Sequence, residues 1–419
     1  VASGSIFTLD EFKDLAVQFE QRQSRFARNW AYYKATVYGK TDSFKTMTMA
    51  MMGQRFASAV QPLFTPLARA VRLDVALIPG HWKLASTATD LAPAVAAVFQ
   101  ASRWPVNGDI FVRYMAAMGE AGLWVVDDRN NGQIFLQAIR PDLYVTRTAA
   151  PWDPTVTQAV LISSATDENG QQAEAATVIE PDSVRTFVAG QPAGLVGREA
   201  AYINALGFVP LVEAKNDPGD GWGEPTFDDA IASLDQVNLQ ATHLANIIQR
   251  HVEPQWAAFG AEPGDLEKSG EAVWFFPEGS DVKAILAAVD FDGVLDFIKE
   301  IKQEVKDGLP ELAFAQLVGI ERVAVATIEI QMSEPVAKIR MMRKIVDQAL
   351  ADALRLVGRA AGTMPDQSEL AVLDTMDLMF DPLRPVITAD NLTRIQIEAA
   401  ATGQQLQQIA LDRELALDG

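Results

Sequence analysis

Two stretches of this chain carry the same narrow apolar seam, and together they limit the folds it can adopt. In the first, Leu234, Val237, Ala241, Leu244 and Ile248 alternate spacings of three and four residues; in the second, Val294, Ile298, Ile301 and Val305 do the same. Such spacing puts one apolar stripe along one side of a helix, the seam of a helix packed on a near-parallel neighbour. Asp296, Glu300, Lys302 and Glu304 turn away from the second seam. The first helix is predicted from Thr226, with Asp229 three residues on as its capping partner, to about Arg250, ending near Pro254. The second is predicted from Phe291 to Leu309. Between them lies a compact insert rich in acidic residues and glycine, with one clear strand at Ala272 to Phe276. Two similar helices bracket a small insert.

The rest of the chain alternates helical and β patterns in blocks. An opening helix is predicted from Leu9 to about Tyr38, with Thr8 and Glu11 as a capping box and Phe7 and Phe12 as a hydrophobic staple. Phe12, Leu15, Phe19, Phe26, Trp30 and Tyr33 form its apolar side, and Arg22, Arg25 and Arg28 read as a separate, solvated basic face. An Ala- and Met-rich helical region follows to about Met118, broken at Pro62, Pro66, Pro79 and Pro105. From Leu123 to about Glu213 the pattern is antiparallel β: a hairpin of Leu123–Val126 and Ile134–Leu136, then strands near Leu143–Arg147, Ala159–Ser163, Ala175–Ile179 and Val184–Val188. A Gly-rich loop spans Asn216 to Glu224. Past the seam helices, Ala313 to Ala326 is rich in small and β-branched residues. A long helix then runs through Val336, Ile339, Met342, Val346, Leu350, Leu354 and Val357 to Gly358, with Pro335 in its first turn or at a kink. Lys338, Arg340, Arg343 and Lys344 make a local basic cluster, read as an exposed helix face, and Asp390 to Leu417 reads as a final helical unit. The fold class is α+β, predominantly helical.

Composition narrows the chemistry. With 419 residues and 49% hydrophobic content the chain can bury a sizeable core over two to four domains. Its 35 Lys+Arg against 55 Asp+Glu give a net charge of -20, which argues against gripping nucleic acid through a general basic surface. The absence of cysteine excludes a disulfide framework, a thiolate zinc site and a Cys nucleophile, and fits a reducing compartment. There is no apolar run long enough to span a bilayer and no secretory pattern at Val1–Ser5. The missing initiator Met and the ending Leu417-Asp418-Gly419 are read as cut ends.

No common catalytic motif is complete. Gly39-Lys40-Thr41 resembles the end of a phosphate loop, but Lys34 stands where its first glycine belongs and no apolar strand precedes it. Asp217 to Glu224 lacks the spacing of a calcium loop and reads as an acidic turn. His243 and His251 lie more than two turns apart on one helix, His81 is distant, and no serine sits in a Gly-x-Ser-x-Gly elbow. The expectation is a non-enzymatic protein with no catalytic residue, cofactor or metal.

Several segments, taken in order, resemble the portal protein of tailed bacteriophages, the head-tail connector. Trp30-Ala31-Tyr32-Tyr33 resembles the Tyr-Tyr end of that family's opening helix. Trp104-Pro105-Val106-Asn107, followed by Ala116 to Val126, is similar to the stretch before its β-rich wing. The most specific block is Gly207-Phe208-Val209-Pro210-Leu211-Val212, then Asn216 and Gly223, then Leu234-Asp235-Gln236-Val237-Asn238.

The resemblance implies a portal-like layout: an N-terminal wing over 1–225, helical then β-rich; stem helices over 226–253 and 290–312; a small α/β clip over 254–289; a tunnel loop over 313–328; a long kinked wing helix and following segment over 329–389; and a helical crown over 390–419. It implies a homo-oligomeric ring of about twelve copies at the unique capsid vertex of a virion, assembled in the host cytoplasm. Double-stranded DNA passes through this ring without tight binding during packaging and ejection. Large terminase, capsid or scaffold protein, and head-completion and tail adaptor proteins are the implied partners; no membrane is involved. Gly319, Ile320, Glu321, Arg322, Val323, Ala324 and Val325 fall on the tunnel loop, and Asp292, Asp296, Glu300, Glu304 and Asp307 are candidates to line the stem channel. An acidic wall repels phosphate and lets DNA slide. Arg322 and the cluster around Arg340 would then make a few transient phosphate contacts, while Glu262, Asp265, Glu267 and Trp274 of the clip would dock terminase or adaptor. Two alternatives stand beside this: a soluble α+β hydrolase with a carboxylate site, and another virion component such as an adaptor or capsid subunit.

Overall fold

The structure, a computed structural model, describes residues 6–37, 64–78, 84–129, 131–150, 153–166, 172–194, 199–217, 221–252, 255–259, 281–285, 291–316, 332–375 and 378–380. It has the expected α+β class and divides into two units. One comprises residues 1–35, 66–228 and 309–419, the other residues 36–65 and 229–308.

In the first unit, helices α1 (Lys13–Tyr33), α2 (Leu67–Leu77), α3 (Ala92–Ala101) and α4 (Trp104–Met118) precede the strands. These are β1 (Glu120–Asp128), β2 (Gln133–Ile139), β3 (Tyr144–Ala150), β4 (Asp153–Thr166), β5 (Gln172–Ile179), β6 (Ser183–Val188), β7 (Gln191–Pro192), β8 (Ala201–Ile203) and β9 (Leu211–Lys215). The second unit holds α5 (Ile231–Val252), β10 (Gln255–Phe259), β11 (Asp281–Ile285) and α6 (Phe291–Asp307); α7 (Ser333–Ala361) returns to the first unit.

Among the described residues all the β-pairing is antiparallel, as the short alternating runs separated by polar turns require. The expected hairpin is β1 on β2, with Val125 opposite Leu136. The later strands form a sheet ordered β3-β4-β5-β6-β7, with β8 also on β6. One pairing was not readable locally: β9 returns across most of the β-region to the free edge of β1, setting Ala214 opposite Ala121. A core of Phe12, Leu15, Phe19, Val145, Val160 and Val178 joins α1 to the larger sheet.

The start of α1 differs from the expected capping box. Ile6–Thr8 and Asp10–Phe12 are two 3₁₀ turns, and α1 begins at Lys13 without a side-chain cap. Phe7 stacks on Phe19 with ring centroids 4.7 Å apart, and Phe12 meets Phe187 edge-on at 6.0 Å. The aromatics serve the tertiary core, which outweighs a local staple. The helix stops at Tyr33 because Ala35 takes a left-handed backbone, φ 54.

Pro335 falls in the first turn of α7, the first of the two placements expected, where its missing N–H has no helical partner to lose, and Ser333–Ala361 runs as one helix. The helix also continues past Gly358. A Cβ there would overlap the backbone of Leu373 and Asp374, so this glycine permits a close crossing and does not stop the helix. Val336, Ile339, Met342, Val346, Leu350, Leu354 and Val357 are buried, as their spacing predicts.

In the second unit α5 and α6 pack together. Leu234, Val237 and Leu244 of one and Ile298, Ile301 and Val305 of the other are buried; Ile248, at the far end of the first seam, is exposed. Asn238 lies fully buried in α5. Its Oδ1 accepts from the Phe64 N–H at 3.0 Å and its Nδ2 donates to the Phe64 carbonyl at 3.1 Å, so it completes the backbone of an incoming segment. Between the helices β10 and β11 form a hairpin, with Ala257 opposite Lys283. The predicted strand Ala272–Phe276 and the terminal unit 390–417 lie outside the described residues.

Candidate functional site

On α6 the sequence places an acidic stripe. At 3.6 residues per turn Asp292, Asp296, Glu300, Glu304 and Asp307 span about 120° of the helix, opposite the Ile298–Ile301–Val305 seam. All five side chains are exposed. Lys299 lies 2.7 Å from Asp296, and hydrogen bonding to that carboxylate raises the lysine pKa, so the charge is partly neutralised there. Gln303 donates to Asp307 at 2.7 Å. Such a surface carries net negative charge.

The basic cluster of α7 is split by the helix. Arg340 and Lys344 are exposed, as expected for a solvated face. Arg343 is 2% exposed: it pairs with Asp347 at 2.7 Å and donates to the Ile78 carbonyl at the end of α2. Burial lowers its pKa, and Asp347 opposes the shift. Lys338 points inward as well, 2.8 Å from buried Glu311 and 2.6 Å from the Thr226 carbonyl. Arg343 and Lys338 are therefore internal ties, and only Arg340 and Lys344 retain a surface role. The sequence position explains it: Arg343 occupies the stripe between Ile339 and Val346.

The same correction applies to Arg22, which is buried while Arg28 is exposed. Its Nη2 lies 3.0 Å from Glu120 and 3.3 Å from Glu213, and the guanidinium plane stands 4.7 Å from the Tyr144 ring centroid and 5.2 Å from that of Phe26. The two carboxylates approach off the hydrogen-bonding line, so these are ion pairs by distance and charge. Burial alone lowers the Arg22 pKa, but Glu213 and Glu120 more than offset it. Burial raises the pKa of Glu120 against the pull of Arg22, and it raises that of Tyr144 well above the ordinary phenol value.

Backbone geometry supplies the remaining contact in this cluster. Glu120 Oε1 accepts from the Gly223 N–H at 2.9 Å, and Gly119 and Gly223 pass so close that a Cβ on either would overlap the other's carbonyl. Asn216 clamps the loop end: its side-chain amide donates to the Glu224 carbonyl at 2.7 Å, and its own carbonyl accepts from the Glu224 N–H at 2.7 Å. The residues Asn216 and Gly223 that carry the sequence resemblance thus act as backbone ties. A cavity of about 550 Å³ borders this cluster, with Gln18, Arg22, Thr146, Thr148, Glu213 and Trp222 in its wall. A guanidinium does not exchange protons near neutral pH, so the cluster holds structure and is poorly suited to acid-base work.

Gly319, Ile320, Glu321, Arg322, Val323, Ala324 and Val325, and Glu262, Asp265, Glu267 and Trp274, lie outside the described residues. Among the described residues no group of three His, Asp or Glu side chains is arranged to hold a metal ion, and no helix is long and apolar enough to cross a membrane.

No family model matches the chain, and no curated protein matches it either. Among solved structures, a chain of the "Virion of native gene transfer agent (GTA) particle" is similar at 12% identity and a TM-score of 0.41, covering 90% of this chain and 94% of that one. A chain of the "Neck of native GTA particle computed with C12 symmetry" has 13% identity and a TM-score of 0.36, covering 87% of this chain and 90% of that one. A chain of the "Neck of empty GTA particle computed with C6 symmetry" has 14% identity and a TM-score of 0.41 over the same shares, 87% and 90%. Likenesses at this level assign no function.

Proposed function

We propose that this chain is the subunit of a portal-type ring in a phage-like virion, a non-enzymatic conduit for double-stranded DNA at the capsid vertex. The observation that carries the reading is the order of elements in and after the second unit. Seam helix α5, the small hairpin β10–β11, seam helix α6 and the long helix α7 follow one another as the sequence resemblance implies for stem, clip, stem and wing helix. The exposed acidic stripe on α6 suits a channel wall, because carboxylates repel phosphate and leave the DNA free to slide. On this reading Arg340 and Lys344 are the basic-cluster residues open to transient phosphate contact. The hairpin unit would dock a packaging motor such as large terminase or a tail adaptor, and assembly would take place in the host cytoplasm around a capsid or scaffold protein.

Native mass spectrometry and negative-stain imaging of the purified chain test the proposal. The expected result is closed rings of about a dozen copies with a central hole wide enough for a DNA duplex. A chain that stays monomeric, or closes into assemblies with no hole, overturns it.

A further inference from the structure

Asp74 belongs to the apolar stripe of α2, beside Leu67, Ala70, Val71 and Ile78, and is 1% exposed. Glu311, in the 3₁₀ turn Pro310–Gln316 that packs on α2, is 0% exposed. One oxygen of each carboxyl, Asp74 Oδ2 and Glu311 Oε1, has no hydrogen-bond partner. Lys338 of α7 is the cation beside them, and it is committed to Glu311 Oε2 at 2.8 Å and to the Thr226 carbonyl at 2.6 Å. Two ionised carboxylates against one ammonium would leave an uncompensated buried charge, which a bound proton removes.

The ion pair decides where that proton goes. Lys338 is paired with Glu311 at 2.8 Å, and among the described residues no cation stands within ion-pair distance of Asp74, so the proton goes to Asp74.

We propose that Asp74 is a proton-binding site, a neutral acid at neutral pH beside the Glu311–Lys338 pair. The Glu311–Lys338 pair ties the Pro310–Gln316 turn to α7, and Lys338 also holds the Thr226 carbonyl. Burial, reinforced by the neighbouring Glu311, raises the Asp74 pKa to about 8, with Lys338 and the Thr226 hydrogen bond acting the other way. Among the other charged groups on packed elements, Asp109 and Arg113 of α4 act on one another, Arg22 of α1 is committed to Glu120 and Glu213, and Arg343 of α7 to Asp347. The native pKa lies above the ordinary value of 3.8. The stability that the proton confers is therefore complete below that value, falls as pH rises, and is lost above about 8.

The test compares equilibrium unfolding of the full chain and of Asp74→Asn, whose amide keeps the shape and the donor without a titration. Between pH 5 and about 7.5 the ratio of folding constants should move in favour of the Asn form by about tenfold per pH unit, then flatten above about 8. Infrared difference spectra should show a protonated-carboxyl carbonyl band at pH 7 that is absent in Asp74→Asn and lost by about pH 10. Parallel stability profiles, or no such band at pH 7, overturn the proposal. Should Asp74→Asn fail to fold, Glu311→Gln removes the neighbouring charge and should move the midpoint of the band to lower pH; an unmoved midpoint overturns it. Stability that instead follows sodium concentration at fixed ionic strength, without the band, overturns it in favour of a bound metal cation.

Discussion

The Arg22 guanidinium and the Glu120 carboxylate stand 3.0 Å apart with both side chains almost wholly buried, so Arg22, which Glu213 also faces, is the principal countercharge of Glu120. Arg22→Met is expected to lower the unfolding free energy by about 3–5 kcal/mol, because Glu120 is then buried unpaired. Adding Glu120→Gln should recover a large part of that loss. Urea unfolding of both single variants and the double gives the coupling energy; strictly additive losses would sink the pairing.

The crossing of Gly119 and Gly223 leaves no room for a side chain. Gly223→Ala should cost at least about 1–3 kcal/mol through overpacking of the two backbones. Gly132 is the control: its φ is +60 but a Cβ there would meet nothing within 4 Å, so Gly132→Ala carries only backbone strain of about 1–2 kcal/mol. Thermal unfolding of the two variants should rank Gly223→Ala as the more damaging.

Asn238 makes its paired contacts with the Phe64 backbone inside the second unit. Asn238→Ala strands a peptide N–H and C=O and should cost about 1–3 kcal/mol. Hydrogen exchange of the Phe64 amide is the local readout, and it should accelerate markedly. Unchanged protection would mean that the side chain contributes little there.

The α6 stripe is the test of the channel reading at residue level. Converting Asp296, Glu300 and Glu304 to Lys together should leave folding within about 0.5 kcal/mol per site, since all three are exposed. In an assembled ring the variant should bind duplex DNA measurably, with a salt slope rising by about 0.9 for each new phosphate contact. Rings whose DNA binding does not change would show that this stripe faces away from the channel.

Much of the architecture was legible because it depends on local period. The α5 and α6 seams, the β1–β2 hairpin, the four strands that follow and the apolar stripe of α7 all appear where alternation or three-and-four spacing puts them. The polar residues of the interior were misread for a consistent reason. Arg22 falls between Phe19 and Phe26 and Arg343 between Ile339 and Val346, each in the middle of a buried stripe. Grouping them with neighbouring arginines by charge hid that position. The spacing itself was the available signal.

By itself, the sequence determined the long helices α1, α5, α6 and α7 with their apolar stripes, the strands β1 to β6, and that α6 carries a continuous acidic face; it did not show the β10–β11 hairpin. These follow from periodicity, a property of a few consecutive turns. Tertiary structure alone decided that Arg22 meets Glu120 and Glu213, that β9 closes onto β1, and that Asp74 shares its pocket with Glu311 and Lys338. Whether a charge is solvated, paired or protonated depends on the dielectric and the partners around it. Those come from segments far apart in the chain, so no local window of sequence contains them.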